Sequence, residues 1–354
     1  MAVAFLCVLV LMPVAIRLAG QQGFVDRPGG RKKHDRPVPP IGGLVVFPVF
    51  LGVMWLLPAA PVQPQFGFFA LAVLALLVTG AFDDRYSIMP WIKFMMQFVA
   101  AFLIVVPGGA VIDSLGNLGG FGALDLRWGA VPFSIIATVL LINAVNLLDG
   151  LDGLAGGIGV IALSLIFAGG MVSGMSPDFM ASLLALWGAL AAFLVFNARY
   201  PRHGKASVFL GDSGSMALGL ALAWLAIHGA GKEPAMFSPI VVAWILALPI
   251  MDTCGQFARR ISQKKHPFSA DDGHFHHHFL YAGFSDAGAV CIIWAVVLCT
   301  GLAGLGAYWA GVPDFIMAYV WTGLLFLHIY LSMRLNRFRR LVSRLRRGAG
   351  SDPK

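Results

Sequence analysis

Apolar residues run through this chain in long blocks, and short clusters of Gly, Pro, Asp and basic residues separate them. A helix needs about 20 apolar residues to cross the hydrocarbon core of a bilayer. Gly, Pro and charge punctuation divides the sequence into eleven candidate spans. They cover approximately residues 1–18, 41–58, 66–82, 91–107, 129–148, 154–173, 179–197, 207–229, 238–258, 287–309 and 312–333. The expected fold is an all-α polytopic membrane protein with about eleven transmembrane helices. Residues 1–333 form a single integral-membrane domain, and 334–354 form a basic cytoplasmic tail. No internal repeat and no soluble domain is visible.

Composition supports that pattern. Hydrophobic residues make up 58% of the 354 positions and charged residues only 12%, about half the share of a soluble protein. Mean hydropathy is +0.81. A soluble globule would lack the charges to cover its surface, so the formal net charge of +8 reports topology and no nucleic-acid partner is expected. The basic residues test this directly through the positive-inside rule. Of the 25, 23 fall in loops after odd-numbered spans or in the tail, and only Arg127 and Lys232 lie opposite. The N-terminus is expected outside, on the periplasmic side, and the C-terminus inside. Met1–Ile16 is apolar from its start and runs into Arg17, which reads as a first span rather than a cleavable leader. Cys7, Cys254, Cys291 and Cys299 lie in or near apolar runs with no CxxC spacing and read as packing residues.

Acids are informative because all but Glu233 of the 17 are Asp. Four segments on the expected inner side carry chemistry. Asp83 and Asp84 end the third span as adjacent like charges that need a compensating cation or proton; Arg85 as a plain helix-end partner is the alternative. In the stretch 143–157, Asn143, Asn146, Asp149 and Asp152 recur every three residues, so neighbours share a helical face. Gly150 and Gly153 interrupt that helix and let backbone approach a ligand. Ionised Asp is costly near the membrane, and two together point to a metal or a polar substrate, with an exposed turn as the alternative. The segment Phe209-Leu210-Gly211-Asp212-Ser213-Gly214-Ser215 opens the eighth span with one carboxylate. That suits Mg²⁺, which takes few carboxylates and completes its shell with phosphate oxygens and water. Pro267 to His278 holds Asp271, Asp272 and His274, His276, His277 and His278. A phosphate clamp by imidazoles fits this cluster, with zinc as the other reading. A fifth, basic and proline-rich stretch runs from Arg31 to Gly43 and serves positive-inside anchoring or shapes a loop beside the other four.

In this order the segments resemble the polyprenyl-phosphate N-acetylhexosamine-1-phosphate transferases, with specificity carried chiefly by NAxNLxDGxDGLA and FxGDxGS. The resemblance spans Lys33 to His278. It implies a Mg²⁺-dependent reaction (Mn²⁺ as the alternative ion) of a UDP-N-acetyl amino sugar, UDP-GlcNAc above all, with undecaprenyl phosphate. The products are undecaprenyl-diphospho-sugar and UMP. It further implies that Asp83 and Asp84 are the paired acids of the active site, with Lys93 the lysine that follows them. Asn146 and Asp212 match Mg²⁺-binding positions, with Asp149 beside them as ligand or catalytic acid. Asp152 and Phe209 match positions that hold uracil, and Lys33 lies in the basic loop near the nucleotide. His274, His276 and His277 match the H-x-H-H form of the GlcNAc-1-phosphate (WecA-type) branch rather than the muropeptide branch, with Asp272 and His278 beside them at the substrate. One position departs: Asp272 stands where that branch has Arg, which reverses a local charge and leaves the identity of the amino sugar open.

Phosphoryl transfer depends mainly on positioning and charge neutralisation. A phosphate monoester has a second pKa of about 6, so the lipid phosphate is largely deprotonated at pH 7 and Asp83 need only orient it or take a residual proton. Direct displacement at the β-phosphorus and a two-step route through an aspartyl phosphate both fit. The lipid must arrive from the membrane plane, which predicts an apolar groove near Asp83. The expected location is the bacterial inner membrane, with the active site facing the cytoplasm and a homodimer as one state of assembly. A secondary transporter is the rival class, but transporters place such acids at the midplane and often in repeats.

Overall fold

The computed structural model describes residues 1–27, 36–56, 64–198, 204–230, 235–265, 273–334, 339–340 and 342–344. Among the described residues thirteen α-helices occur in order: α1 (Ala2–Gln21), α2 (Gly42–Leu56), α3 (Pro64–Tyr86), α4 (Pro90–Val105), α5 (Ala130–Leu148), α6 (Leu154–Ser173), α7 (Pro177–Asn197), α8 (Gly211–Ala230), α9 (Pro239–Ile245), α10 (Ala247–Ser262), α11 (Phe275–Tyr281), α12 (Asp286–Trp309) and α13 (Asp314–Met333). No strand occurs among the described residues. Each expected apolar span is occupied by helix. Eight helices (α1, α3, α5, α6, α7, α8, α12 and α13) are long and apolar enough to cross a bilayer, whereas α2 and α4 are shorter.

The run 238–258, expected as one span, is two helices bent by 77°. The break falls at Leu246, with φ −100° and ψ 20°. Pro249 has no N–H to offer the carbonyl of Ile245 and fits instead in the first turn of a new helix. With the bent pair taken as one, the number of candidate crossings rises to nine.

At the centre stands α8, buried along nearly its whole length and packed against α2, α3, α5 and α6. Close approach depends on small residues, as is usual between membrane helices. At Gly80 of α3 any Cβ would lie 2.1 Å from the backbone nitrogen of Ser213, so only glycine lets α3 bring its acidic end to the start of α8. By contrast α1 and α13 leave many large apolar side chains exposed, among them Leu6, Val10, Tyr319 and Phe326, the expected state of helices on the lipid-facing rim.

Candidate active site

The last turn of α3 and the first of α4 face the N-terminus of α8. Lys93 on α4 donates from Nζ to Asp83 Oδ2 at 2.8 Å and to Asp212 Oδ2 at 2.9 Å. One ammonium therefore ties two carboxylates from different helices. Asp83 Oδ1 accepts from the Ile88 N–H at 2.9 Å, fixing the turn between α3 and α4. Its neighbour Asp84 accepts the Asp212 N–H at Oδ1, as anions do at helix N-termini. Asp84 Oδ2 is buried without a hydrogen-bond partner.

The end of α5 completes this cluster. Asn146 donates from Nδ2 to Asp212 Oδ1 at 3.1 Å and to Ser215 Oγ at 2.9 Å. One turn earlier Asn143 donates to Gln97 Oε1 of α4, so α4, α5 and α8 are bound by amides as well as by packing. Asp149 caps α5 and leaves the helix. Burial, and then the nearby carboxylates of Asp212, Asp84 and Asp152, hold its carboxyl well above the usual range.

Past Asp149 the chain turns through Gly153 (φ +84°) into α6. Asn197, at the end of α7, fastens this turn: its Oδ1 accepts the Gly153 N–H at 2.7 Å and its Nδ2 donates to the Val208 carbonyl at 2.8 Å. Asp152 Oδ2 accepts the Ala206 N–H at 3.3 Å. The proline-rich stretch joins here as well. Phe209 N–H donates to Pro39 O at 3.0 Å, and Gly42 N–H donates back to Phe209 O at 2.9 Å. Asp152 and Phe209, matched to a base-binding role, are thus brought to the same loop pair. Lys33 and Asp272 lie outside the described residues.

The histidines form a separate arm beside this loop. The rings of His274 and His276 are parallel within 8°, with centroids 6.0 Å apart, and His277 stands 4.1 Å from His276. Burial pushes His276 down to about 3 and His278 down to about 4. Near neutral pH both are uncharged rings, so the clamp read from the sequence has no positive charge at these two positions. His278 Nε2 faces the Gly273 carbonyl at 3.1 Å.

For a divalent cation, the donor chemistry is oxygen throughout: Asp83, Asp84, Asp149, Asp212 and the amide oxygen of Asn146. The unpartnered Asp84 Oδ2 is the kind of acceptor that a cation satisfies. Among the described residues no three His, Cys, Asp or Glu side chains converge into a ready-made metal cage. Mg²⁺ is bound through one or two carboxylates together with substrate phosphates, and these residues fit it. A groove of about 550 Å³ runs along α3 through Val78, Phe82 and Arg85, lined also by Phe24, Leu44 and Pro48; Asp83 is next to Phe82 in the chain but does not line it.

Comparison with known proteins gives the family. Residues 66–230 match the family described as Glycosyl transferase family 4. The chain is 33% identical over 296 residues to the probable undecaprenyl-phosphate N-acetylglucosaminyl 1-phosphate transferase of Bacillus subtilis, covering 83% of this chain and 80% of that protein. It is 30% identical to the undecaprenyl-phosphate alpha-N-acetylglucosaminyl 1-phosphate transferase of Escherichia coli K12, covering 99% of this chain and 95% of that one. The protein of the same name from Salmonella typhi is 29% identical over 97% of this chain.

Proposed function

The chain belongs to glycosyl transferase family 4, and from that premise we propose that it transfers GlcNAc-1-phosphate from UDP-GlcNAc to undecaprenyl phosphate, releasing UMP. The observation that carries this reading is the cluster Asp83–Lys93–Asp212–Asn146, built from four helices, α3, α4, α5 and α8. It offers anionic oxygens for a cation and an ammonium for phosphate, and no ring or thiol donor.

In the proposed mechanism Asp212, Asn146 and Asp149 would hold Mg²⁺. When bound, the ion supplies charge neutralisation for the diphosphate. Lys93 keeps Asp83 and Asp212 at fixed positions and is itself placed to meet a phosphate oxygen. Asp83 orients the attacking lipid phosphate, which needs little proton removal at pH 7 because its second pKa is about 6. Asp152 and Phe209 hold the uracil, with Asn197 keeping their two loops together. Turnover releases UMP by displacement at the β-phosphorus of the sugar nucleotide.

The polyprenyl chain needs an apolar entrance level with Asp83, and the groove beside Phe82 supplies one. The same reading places the protein in the bacterial inner membrane as an eleven-span bundle, N-terminus out, with this cluster at the cytoplasmic face where UDP-sugars are found. Its product begins a cell-envelope polysaccharide. The sequence departure at Asp272 favours a second reading of the sugar alone, with another UDP-N-acetyl sugar as donor.

The test is UMP release by the purified protein with undecaprenyl phosphate and Mg²⁺ across a panel of UDP-amino sugars. UDP-GlcNAc is expected to give the highest kcat/KM. Release of UMP only from a different UDP-N-acetyl sugar would correct the substrate, and release from none would overturn the reaction.

A further inference from the structure

A carboxylate outside the cluster above holds the histidine arm. Asp252 lies on α10 and is 1% exposed. Its Oδ1 accepts the Phe275 N–H at 3.0 Å and Gln256 Nε2 at 3.2 Å. Its Oδ2 faces His274 Nδ1 at 3.0 Å, and His328 Nε2 of α13 stands 3.8 Å from Oδ1. An ionised carboxylate only accepts, so His274 donates from Nδ1 and turns the lone pair of Nε2 toward Arg260 Nη2, 3.4 Å away. Both ring nitrogens of His274 are engaged within the protein, and the residue is 5% exposed. Gln256 extends the anchor by donating to the Gly273 carbonyl at 2.6 Å.

What this anchor places is His276. Its ring packs on Gly150, where any Cβ would come within 2.6 Å of Nε2. Gly150 adjoins Asp149, so the arm presses directly on the turn that presents the acidic loop. The backbone between His274 and His276 decides where that ring lies, and Asp252 grips this backbone at Phe275.

We propose that Asp252 is the positioning residue of the active site: it fixes the tautomer of His274 and the backbone of Phe275, and so seats His276 against the Asp149–Gly150 turn. The proposal rests on the transferase reading for its kinetic consequences but not for its structural one. No substrate atom need touch Asp252, because its partners surround it.

Asp252→Asn tests this at nearly constant shape. The amide oxygen stays with Phe275 and Gln256, and the new NH₂ faces His274 Nδ1. His274 must then accept at Nδ1 and carry its proton on Nε2, opposite the Arg260 donor. Hydrogen–deuterium exchange of the folded protein in detergent is expected to rise at least threefold in rate over 273–281 and over 148–154, with α1 and α7 unchanged. This readout needs no turnover, so it stands even if no UDP-sugar is accepted. In the UMP-release assay kcat is expected to fall at least tenfold with KM for undecaprenyl phosphate within twofold. Adding Asp252→Asn to His274→Ala should cost nothing further, because one acts through the other. Unchanged exchange at 148–154, or additive losses in the double variant, would overturn the proposal. Should Asp252→Asn not fold, His274→Asn, whose amide nitrogen occupies the Nδ1 position, must exchange more slowly over 148–154 than His274→Gln, whose amide reaches the Nε2 position. Equal or reversed order overturns it too.

Discussion

Replacing Lys93 by Met keeps the length of the side chain and removes its charge, so it isolates what the ammonium does. Nζ lies 2.8 Å from Asp83 and 2.9 Å from Asp212, which puts the two carboxylate oxygens within about 5.7 Å of each other. At that separation, unit charges in an effective dielectric of about 20 repel by about 3 kcal/mol. The three side chains are 23%, 14% and 30% exposed, so water relieves part of this and the stability loss should be only about 1–2 kcal/mol. Geometry suffers more than stability, since Asp212 loses one of its two side-chain partners and turns from the position that Asn146 shares. A loss of about 3 kcal/mol in transition-state binding corresponds to a factor of about 10² in rate. The expected result in the UMP-release assay is a kcat roughly 10²-fold lower, with a melting temperature in detergent reduced by a few degrees. Raised Mg²⁺ should recover part of the rate by replacing a cation between the two acids. A folded Lys93→Met protein with wild-type kcat would refute the reasoning, because the bridge would then be incidental to the reaction.

Other outcomes follow from the same contacts. Asp212→Asn removes the carboxylate shared by Lys93 and Asn146 and should abolish turnover at any Mg²⁺ concentration while protein level is kept; near-normal UMP release would sink the assignment of Asp212 to the metal. Asn197→Ala leaves the Gly153 N–H and Val208 carbonyl unpaired in a buried place, at a cost of about 1–3 kcal/mol, and should raise KM for the UDP-sugar several-fold with a smaller change in kcat; an unchanged KM would separate this asparagine from the nucleotide loops. Stability should fall with acid from about pH 6.5 downward, since the unfolded chain takes up protons that buried His276 and His278 refuse until about pH 3 and pH 4. The slope is about 1.4 kcal/mol per pH unit for each ring, and above pH 6.5 neither ring contributes. Melting curves of His276→Phe between pH 6.5 and 4.5 should lose one ring's share, and an unchanged slope would count against the burial of that histidine.

The helices were legible because each apolar block is long and its borders carry Gly, Pro or charge. The bend at Leu246 was not, since a single proline inside an apolar run is compatible with a kink, a new helix or neither. Asp83, Asp84, Asp149 and Asp212 stood out for one physical reason: ionised acids are rare in such runs. Asp252 carries the same signal more faintly, because it sits alone in the run 238–258 with neither glycine nor a second acid beside it. Asn197 reads in sequence as an ordinary helix end. The contacts that give these two residues their meaning join positions 22 and 44 apart, and the Lys93–Asp212 pair is 119 apart. Periodicity does not reach that far, so the sequence disclosed the residue types and left their partners to the packing of α8.

The formal charge of the assembled site makes a stronger argument than any single contact. Among the described residues, Asp83, Asp84, Asp149 and Asp212 gather at one end of α8 with the Lys93 ammonium between Asp83 and Asp212, and the buried His276 and His278 add no positive charge near neutral pH. Burial has raised the carboxyl of Asp149, which spares part of the repulsion but leaves the cluster anionic. A nucleoside diphosphate is itself anionic and would be turned away from such a place. Asp84 Oδ2, buried without a hydrogen-bond partner, and its neighbouring carboxylates would hold a divalent cation, which would supply the charge neutralisation that the diphosphate needs. On the proposed mechanism this excess of acid would make nucleotide binding depend on the metal, and Lys93 is the counter-charge that keeps Asp83 and Asp212 together.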